Sequence, residues 1–244
     1  LGGSTIYENN EFNKINNKVP SEWLKKEIEE LKDIKNLEIK TRTSVAAYHQ
    51  YNYLLARENL TDHLEAKDKT NKIRQRLLKI RAKKFILATG ALERPLIFNN
   101  NDRPGIMLSS AIKKYSEFYG VACGSKNVFF TNNDSAYESA MSLYNKGINV
   151  EAIIDIREQS ESKIVKKVKE AGIKIYWSHT IVDTAGYKRL NGISIMKLSN
   201  DGTSVTGSKI SISCDCLGVA GGWTPAVHLY TCLLYTSPSP RDSG

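Results

Sequence analysis

Residues 81–105, RAKKFILATGALERPLIFNNNDRPG, decide how the rest of the chain is read. A basic lead-in feeds the apolar run Phe85-Ile86-Leu87-Ala88, which stops at Thr89-Gly90. A run this short, bounded by a turn signal, predicts a buried strand of a parallel sheet. Ligands of open α/β sheets sit at the carboxyl ends of such strands, so Ala88, Thr89 and Gly90 are candidate cofactor contacts. Gly90 can take backbone angles closed to other residues, which lets the chain turn tightly against a phosphate or ribose. From these residues alone, a plain strand end with a capping Thr is an equal alternative.

The same device returns near the other end, where Leu217-Gly218-Val219-Ala220 runs into Gly221-Gly222-Trp223. Between the two glycine turns lies an α/β pattern. Helices are predicted over 108–118, 137–146 and 161–171, and strands over 127–131, 150–156 and 173–177. A hairpin follows, 192–198 against 209–213, across Asn200-Asp201-Gly202. The strand–turn–helix–strand order has the length of a dinucleotide-binding half. Its turn, Asn132-Asn133-Asp134-Ser135-Ala136, lacks the G-x-G-x-x-G spacing, and Asn and Asp side chains fill the space a pyrophosphate needs. The unit therefore reads as Rossmann-like without standard nucleotide binding.

On the amino-terminal side, Leu1-Gly2-Gly3-Ser4 has paired glycines whose N–H groups can cradle a pyrophosphate, though an ordinary loop has the same look. Residues 9–19 read as a solvated connector. Pro20-Ser21 opens a helix with Ser21 as N-cap and Leu24, Ile28 and Leu31 as its buried stripe. Strand-like runs over 37–47, 51–58 and 77–81 predict a small antiparallel layer laid on a parallel sheet. Tyr48, Tyr51 and Tyr53 fit sheet packing better than stacking on a base. His49 and His63 have no evident partner.

The chain has 244 residues, 41% of them hydrophobic, enough for one large domain or two small ones. The net charge of +9 is spread among acids, which fits a solvated basic surface rather than a nucleic-acid site. No apolar run reaches membrane-spanning length, so no membrane partner is expected. The four cysteines form no Cys-x-x-Cys pair and join no His cluster. Free thiols in a reducing cytosol explain them, with no metal site and no redox pair. No G-x-S-x-G elbow points to hydrolysis. The opening at Leu1 without Met reads as the start of a fragment. Residues 232–242, CLLYTSPSPRD, look like a translated sequencing adapter, so 232–244 are set aside as non-native.

Four blocks, LGGS, ATGALERPLIFNNNDRPGIML, FTNNDSAY and CDCLGVAGGWTPAVHL, together resemble the α subunits of heterotetrameric sarcosine oxidases. The resemblance implies an α/β fold of two Rossmann-like dinucleotide-binding domains, the second inserted in the first. Residues 1–98 would be part of the first, lacking its amino-terminal half; 99–206 would be the insertion, entered through Glu93-Arg94-Pro95; 207–231 would return to the first. NAD would be held by Gly2, Gly3, Ser4, Val45, Ala88, Thr89, Gly90, Gly221, Gly222 and Trp223, although the upstream glycine motif and its ribose-binding acid are not in this chain. FAD, FMN and tetrahydrofolate would be bound elsewhere, in a cytoplasmic complex with β, γ and δ subunits. That complex oxidatively demethylates sarcosine to glycine, hydrogen peroxide and a one-carbon unit on tetrahydrofolate. This chain would then hold no catalytic residue. Two alternatives stay open: an α-type subunit of an opine, proline or N-methyl amino-acid dehydrogenase, or a structural NAD-holding docking domain.

Overall fold

The structure is a computed structural model and describes residues 2–8, 14–69 and 72–234. Leu1, residues 9–13 of the expected connector, Thr70-Asn71 and the tail from 235 onward lie outside the described residues. After a 3-10 turn at Gly3–Tyr7, the order is α1 (Pro20–Lys32), β1 (Thr43–His49), β2 (Tyr53–Asn59), α2 (Ala66–Lys69), β3 (Gln75–Arg81), β4 (Ala91–Glu93) and β5 (Ile106–Leu108). Then come α3 (Ser109–Tyr119), β6 (Asn127–Thr131), α4 (Ser135–Asn145), β7 (Val150–Asp155), α5 (Lys163–Glu170) and β8 (Lys174–Trp177). The last elements are β9 (His179–Ala185), β10 (Gly192–Leu198), β11 (Val205–Ile212), β12 (Cys216–Ala220), β13 (Trp223–Pro225) and α6 (His228–Leu234).

Among the described residues two compact units result, drawn from Leu1–Gly3, Leu24–Ala91 and Pro225–Gly244 for one and from Ser4–Trp23 and Leu92–Thr224 for the other. In the first, β1, β2 and β3 make a three-stranded antiparallel sheet. Its central strand buries Leu54 and Ala56 on one face. The strand expected from residue 37 begins at Thr43, because Arg42 takes a left-handed turn (φ 53°) just before it. The helix stripe is thin: Leu24 and Ile28 are half-buried and Leu31 is exposed.

The expected buried strand at 85–88 is overturned. No strand forms there, and Ile86 is 93% exposed. Phe85 rests edge-on against Tyr48, with ring centroids 5.3 Å apart. An apolar run becomes a parallel strand only where a neighbour supplies ladder bonds, and among the described residues none pairs with 85–88.

In the second unit, β5-β12-β6-β7-β8 form a five-stranded sheet whose ladders are all parallel. Every residue of β6 and β12 is buried. Side chains alternate between two faces. Phe129, Ile153 and Cys216 meet a core shared with α3, α4 and α5 residues such as Ile112, Tyr137 and Val165. Val128, Phe130, Ile154, Leu217 and Val219 pack against Ile181, Ile193 and Ile195 of β9 and β10. The sheet is thus covered by helices on one face and by the antiparallel sheet β11-β10-β9 on the other.

This corrects the expected layering: β1–β3 lie in the other unit, and the layer on the parallel sheet contains β9, which the sequence reading missed. Residues 99–206 all belong to the second unit, and so do 207–224, with β12 bonded between β5 and β6; the chain rejoins the first unit at Pro225.

Candidate functional site

Helices α3 and α4 start just after β5 and β6, so their amino ends stand at the carboxyl edge of the parallel sheet. That edge is where open α/β sheets bind ligands. A cavity of about 170 Å3 opens there, lined by Ser109 and Ser110 of α3, Ser135 and Ser139 of α4, Trp223 after β12, and Glu93 of β4. Ser4, Tyr7 and Glu8 from the amino-terminal turn, with Lys113 and Glu138, complete the wall.

Its polar groups are only partly matched. Glu93, 8% exposed, accepts the Ser110 backbone N–H through Oε2 at 2.8 Å, so a carboxylate occupies the positive end of α3. Lys113 Nζ donates to Glu8 Oε2 at 2.6 Å and stands 4.0 Å from Glu138. Ser109 and Ser139 hydroxyls share a bond of 3.1 Å. Glu93 Oε1 and Glu8 Oε1 are buried without a hydrogen-bond partner. Burial first, and then the Glu8 carboxylate, push the Tyr7 phenol above its ordinary range.

The turn after β6 is closed by its own side chains. Asn133 Oδ1 accepts the Ser135 N–H at 3.0 Å, and the Asn132 and Asn133 amides donate to Gly221 O and Ala220 O. The acid at the end of β7, Asp155, is fully buried. It accepts from Tyr137 Oη at 2.7 Å and from Arg157 Nη2 at 2.7 Å. Arg157 also holds Asp134 at 2.8 Å. Both carboxylates raise the Arg157 guanidinium's proton affinity, and burial with Asp155 raises that of the Tyr137 phenol. These residues do not fit a dinucleotide: the amino end of α4 and the strand-end acid are already engaged.

The ten residues expected around NAD are divided. Gly2, Gly3, Val45, Ala88, Thr89 and Gly90 lie in the first unit; Ser4, Gly221, Gly222 and Trp223 lie in the second. Gly2 is closed against α1, since a Cβ there would stand 2.1 Å from Leu24 Cδ2. Val45 is 41% exposed beside the irregularity in the β1 register. Ala88, Thr89 and Gly90 are exposed and fixed from the carboxyl-terminal segment. Thr89 Oγ1 donates to Ala226 O at 2.5 Å, and Ala226 N–H donates to Gly90 O at 2.9 Å. Gly90 has φ 71° with nothing within 4 Å of a Cβ position, so its main chain is open to a ligand. Gly221 is instead a packing glycine, its Cβ position 2.8 Å from Pro95 O. Gly221 N–H donates to Arg94 O and Arg94 N–H to Gly222 O, tying β13 to β4.

Of the ten, Ser4 and Trp223 meet in the cavity, beside Glu8, Lys113 and Glu138, which sequence reasoning missed. Glu93 was read only as part of a crossing. Its one legible signal was a carboxylate placed before the helix opening Ser109-Ser110. No group of His, Cys, Asp and Glu that could hold a metal occurs among the described residues, and Cys123, Cys214 and Cys216 are free thiols.

A parallel sheet covered by helices and an antiparallel sheet is the layout of thioredoxin reductase-type dinucleotide-binding domains. The thioredoxin reductase of T. acidophilum matches over 98% of this chain and 70% of its own, with a TM-score of 0.67 and 18% identity. The L-proline dehydrogenase of P. horikoshii matches over 95% of this chain and 37% of its own, with a TM-score of 0.59 and 18% identity. At such identities the likeness is one of fold alone.

The chain is homologous to the α subunit of sarcosine oxidase. It is 36% identical over 211 residues to that of Corynebacterium sp. (strain P-1), covering 86% of this chain, and 33% identical over 218 residues to that of Rhizobium meliloti (strain 1021), covering 88%. It spans about a fifth of those relatives (21% and 20%). No protein-family model matches it. No helix among the described residues is long and apolar enough to cross a membrane.

Proposed function

We propose that this chain is the NAD-holding portion of a sarcosine oxidase α-type subunit, working in a cytoplasmic complex with β, γ and δ subunits. The 36% identity over 211 residues to such a subunit carries the reading. In it, residues 99–206 are a domain inserted in the first dinucleotide-binding domain, and the amine-oxidising site with its FAD and FMN, like the folate site, lies outside these residues. NAD would be held through the first unit. Its support is the open left-handed backbone at Gly90, anchored by Thr89 and Ala226. Gly2, Gly3, Val45 and Ala88 are the other proposed contacts in that unit. Bound NAD would supply a nicotinamide able to take up a hydride. What this chain's residues contribute is backbone N–H groups for phosphates and a tight turn for the ribose.

The closed turn of the second unit favours a related reading, in which NAD is a structural element of a docking domain. The two are separated by one preparation. The full-length protein, co-expressed with its partner subunits, is purified, denatured, and assayed enzymatically for released NAD. The expected result is near-stoichiometric NAD, mostly lost in Gly90→Val, together with sarcosine-dependent oxygen uptake. Loss of NAD that loosens assembly but spares flavin reduction favours the docking role. A complex that purifies without NAD and takes up no oxygen with sarcosine overturns the proposal.

A further inference from the structure

The antiparallel sheet of the first unit has two edges of different character. β1 is interrupted by a bulge between Val45 and Ala47. β3, Gln75–Arg81, runs its seven residues against β2 in unbroken register. Two bonds set the phase of that ladder: Leu60 N–H donates to Arg74 O at 2.9 Å, and Ala82 N–H to Asn52 O at 3.4 Å. Antiparallel pairs alternate between bonded and unbonded, so Arg76, Leu78 and Ile80 exchange their backbone bonds with β2. Gln75, Leu77, Lys79 and Arg81 therefore aim their N–H and C=O groups away from β2, where no other backbone meets them among the described residues. An open row of this kind is a template for another strand.

The side chains at these same positions select what can be added. Leu77, Lys79 and Arg81 share one face of the sheet with Arg57, Leu55 and Tyr53, their partners in β2. Leu77 is 60% exposed, and the Arg81 guanidinium lies 5.6 Å from the centre of the Tyr53 ring. The neighbouring Arg74 and Arg76 are held by Asp62 and Glu58, whereas Arg57, Lys79 and Arg81 form no ion pair among the described residues. The β1 positions across that face, Ser44, Ala47 and His49, add no carboxylate. A second copy of β3 would set Lys79 or Arg81 against a like charge, and a chain of net charge +9 repels its own copies. An extended segment with carboxylates at alternate positions, roughly 7 Å apart, matches Lys79 and Arg81 instead. Apolar residues on its other face would continue the half-buried Leu78 and Ile80.

We propose that the outer edge of β3 binds an extended acidic segment of a partner polypeptide, which adds to the sheet as a fourth strand with its carboxylates on Lys79 and Arg81. The backbone row gives the segment its place, and the cations select its sign. The edge needs no nucleotide and stands whether or not the first unit holds NAD.

The test uses the full-length protein, expressed without partner subunits, and a fluorescent seven-residue probe of alternating Val and Glu read by anisotropy. Its Val/Gln counterpart and an oligothymidylate are the controls. Saturable binding of the Glu probe, at least tenfold tighter than the Gln probe, is expected. Residue-resolved hydrogen exchange should then show new protection of the Leu77, Lys79 and Arg81 amides, with those of Leu78 and Ile80 unchanged. Lys79→Glu should weaken the Glu probe at least tenfold. Leu77→Pro removes one outward N–H and no bond to β2, so it should weaken the probe as well, although it changes no charge. If a thermal melt shows Leu77→Pro unfolded, the exchange pattern at Leu77, Lys79 and Arg81 reads the strand addition in its place. Equal binding of the Glu and Gln probes overturns the proposal, and so does oligothymidylate protecting the same amides, which would make a nucleic acid the occupant. Protection of those amides before any probe is added overturns it too, because a second copy or the remainder of the protein's own chain would then cover the edge.

Discussion

Residues 85–88, Phe-Ile-Leu-Ala, and residues 127–131, Asn-Val-Phe-Phe-Thr, are two short apolar runs with opposite fates. The second is a central strand whose five positions are all buried. The first forms no strand and leaves Ile86 93% exposed. Composition does not separate them. The difference is in partners: β6 is bonded on both sides, to β12 and to β7, while 85–88 pairs with nothing among the described residues. Apolar side chains make a run eligible for a sheet, and neighbouring backbones decide whether it enters one.

The largest effect should come from truncating the buried run. Phe129→Ala removes a fully buried ring packed against Ile112 and Gly218 and should cost about 3–5 kcal/mol. Urea denaturation followed by circular dichroism reads the loss. A cost below that of a surface change would break the comparison.

A smaller effect, tied to the same sheet, is alkaline. Burial pushes the Cys214 and Cys216 thiols up to about 12. Between an ordinary thiol value near 9 and that value, the folded state keeps protons the unfolded state has lost. The unfolded state then binds fewer protons, so stability falls as pH rises through this window. Cys216→Ala should flatten the fall in the denaturation midpoint, and an unchanged slope would remove the thiols as its cause.

The smallest effect belongs to the exposed run. Ile86→Ala should stay within about 0.5 kcal/mol of the parent in this chain. A cost comparable to Phe129→Ala would mean that 85–88 is packed after all.

Much of the second unit was legible. β6, β7, β8, β10 and β12, with α3, α4 and α5, fall where apolar period and glycine stops put them, while β11, expected over 209–213, begins already at Val205. Gly147 and Gly172 take the left-handed backbone (φ 72° and 75°) expected after helices. β9 escaped because HTIVDTA mixes Thr, His and Asp into both faces, and it becomes a strand by pairing with β10. β5 escaped because three residues, IML, carry no period. The cavity was hardly legible at all. Glu8 and Lys113 meet across 105 residues, and no local spacing announces a bond of that range.

The sequence by itself determined the homology, the α/β order of the second unit, and the loss of a glycine turn after β6. Each is written in residues adjacent along the chain, where period, turn chemistry and motif act locally. Only the tertiary structure decided the fate of residues 81–105. It left 85–90 outside any sheet, paired β4 with β13, and brought Glu93 under the first turn of α3. The physical reason is that ladder partners and the burial of a charge are set by what distant segments supply. The stretch that marks the family thus contributes to the most distinctive cavity through one carboxylate, which its own sequence presented only as a link.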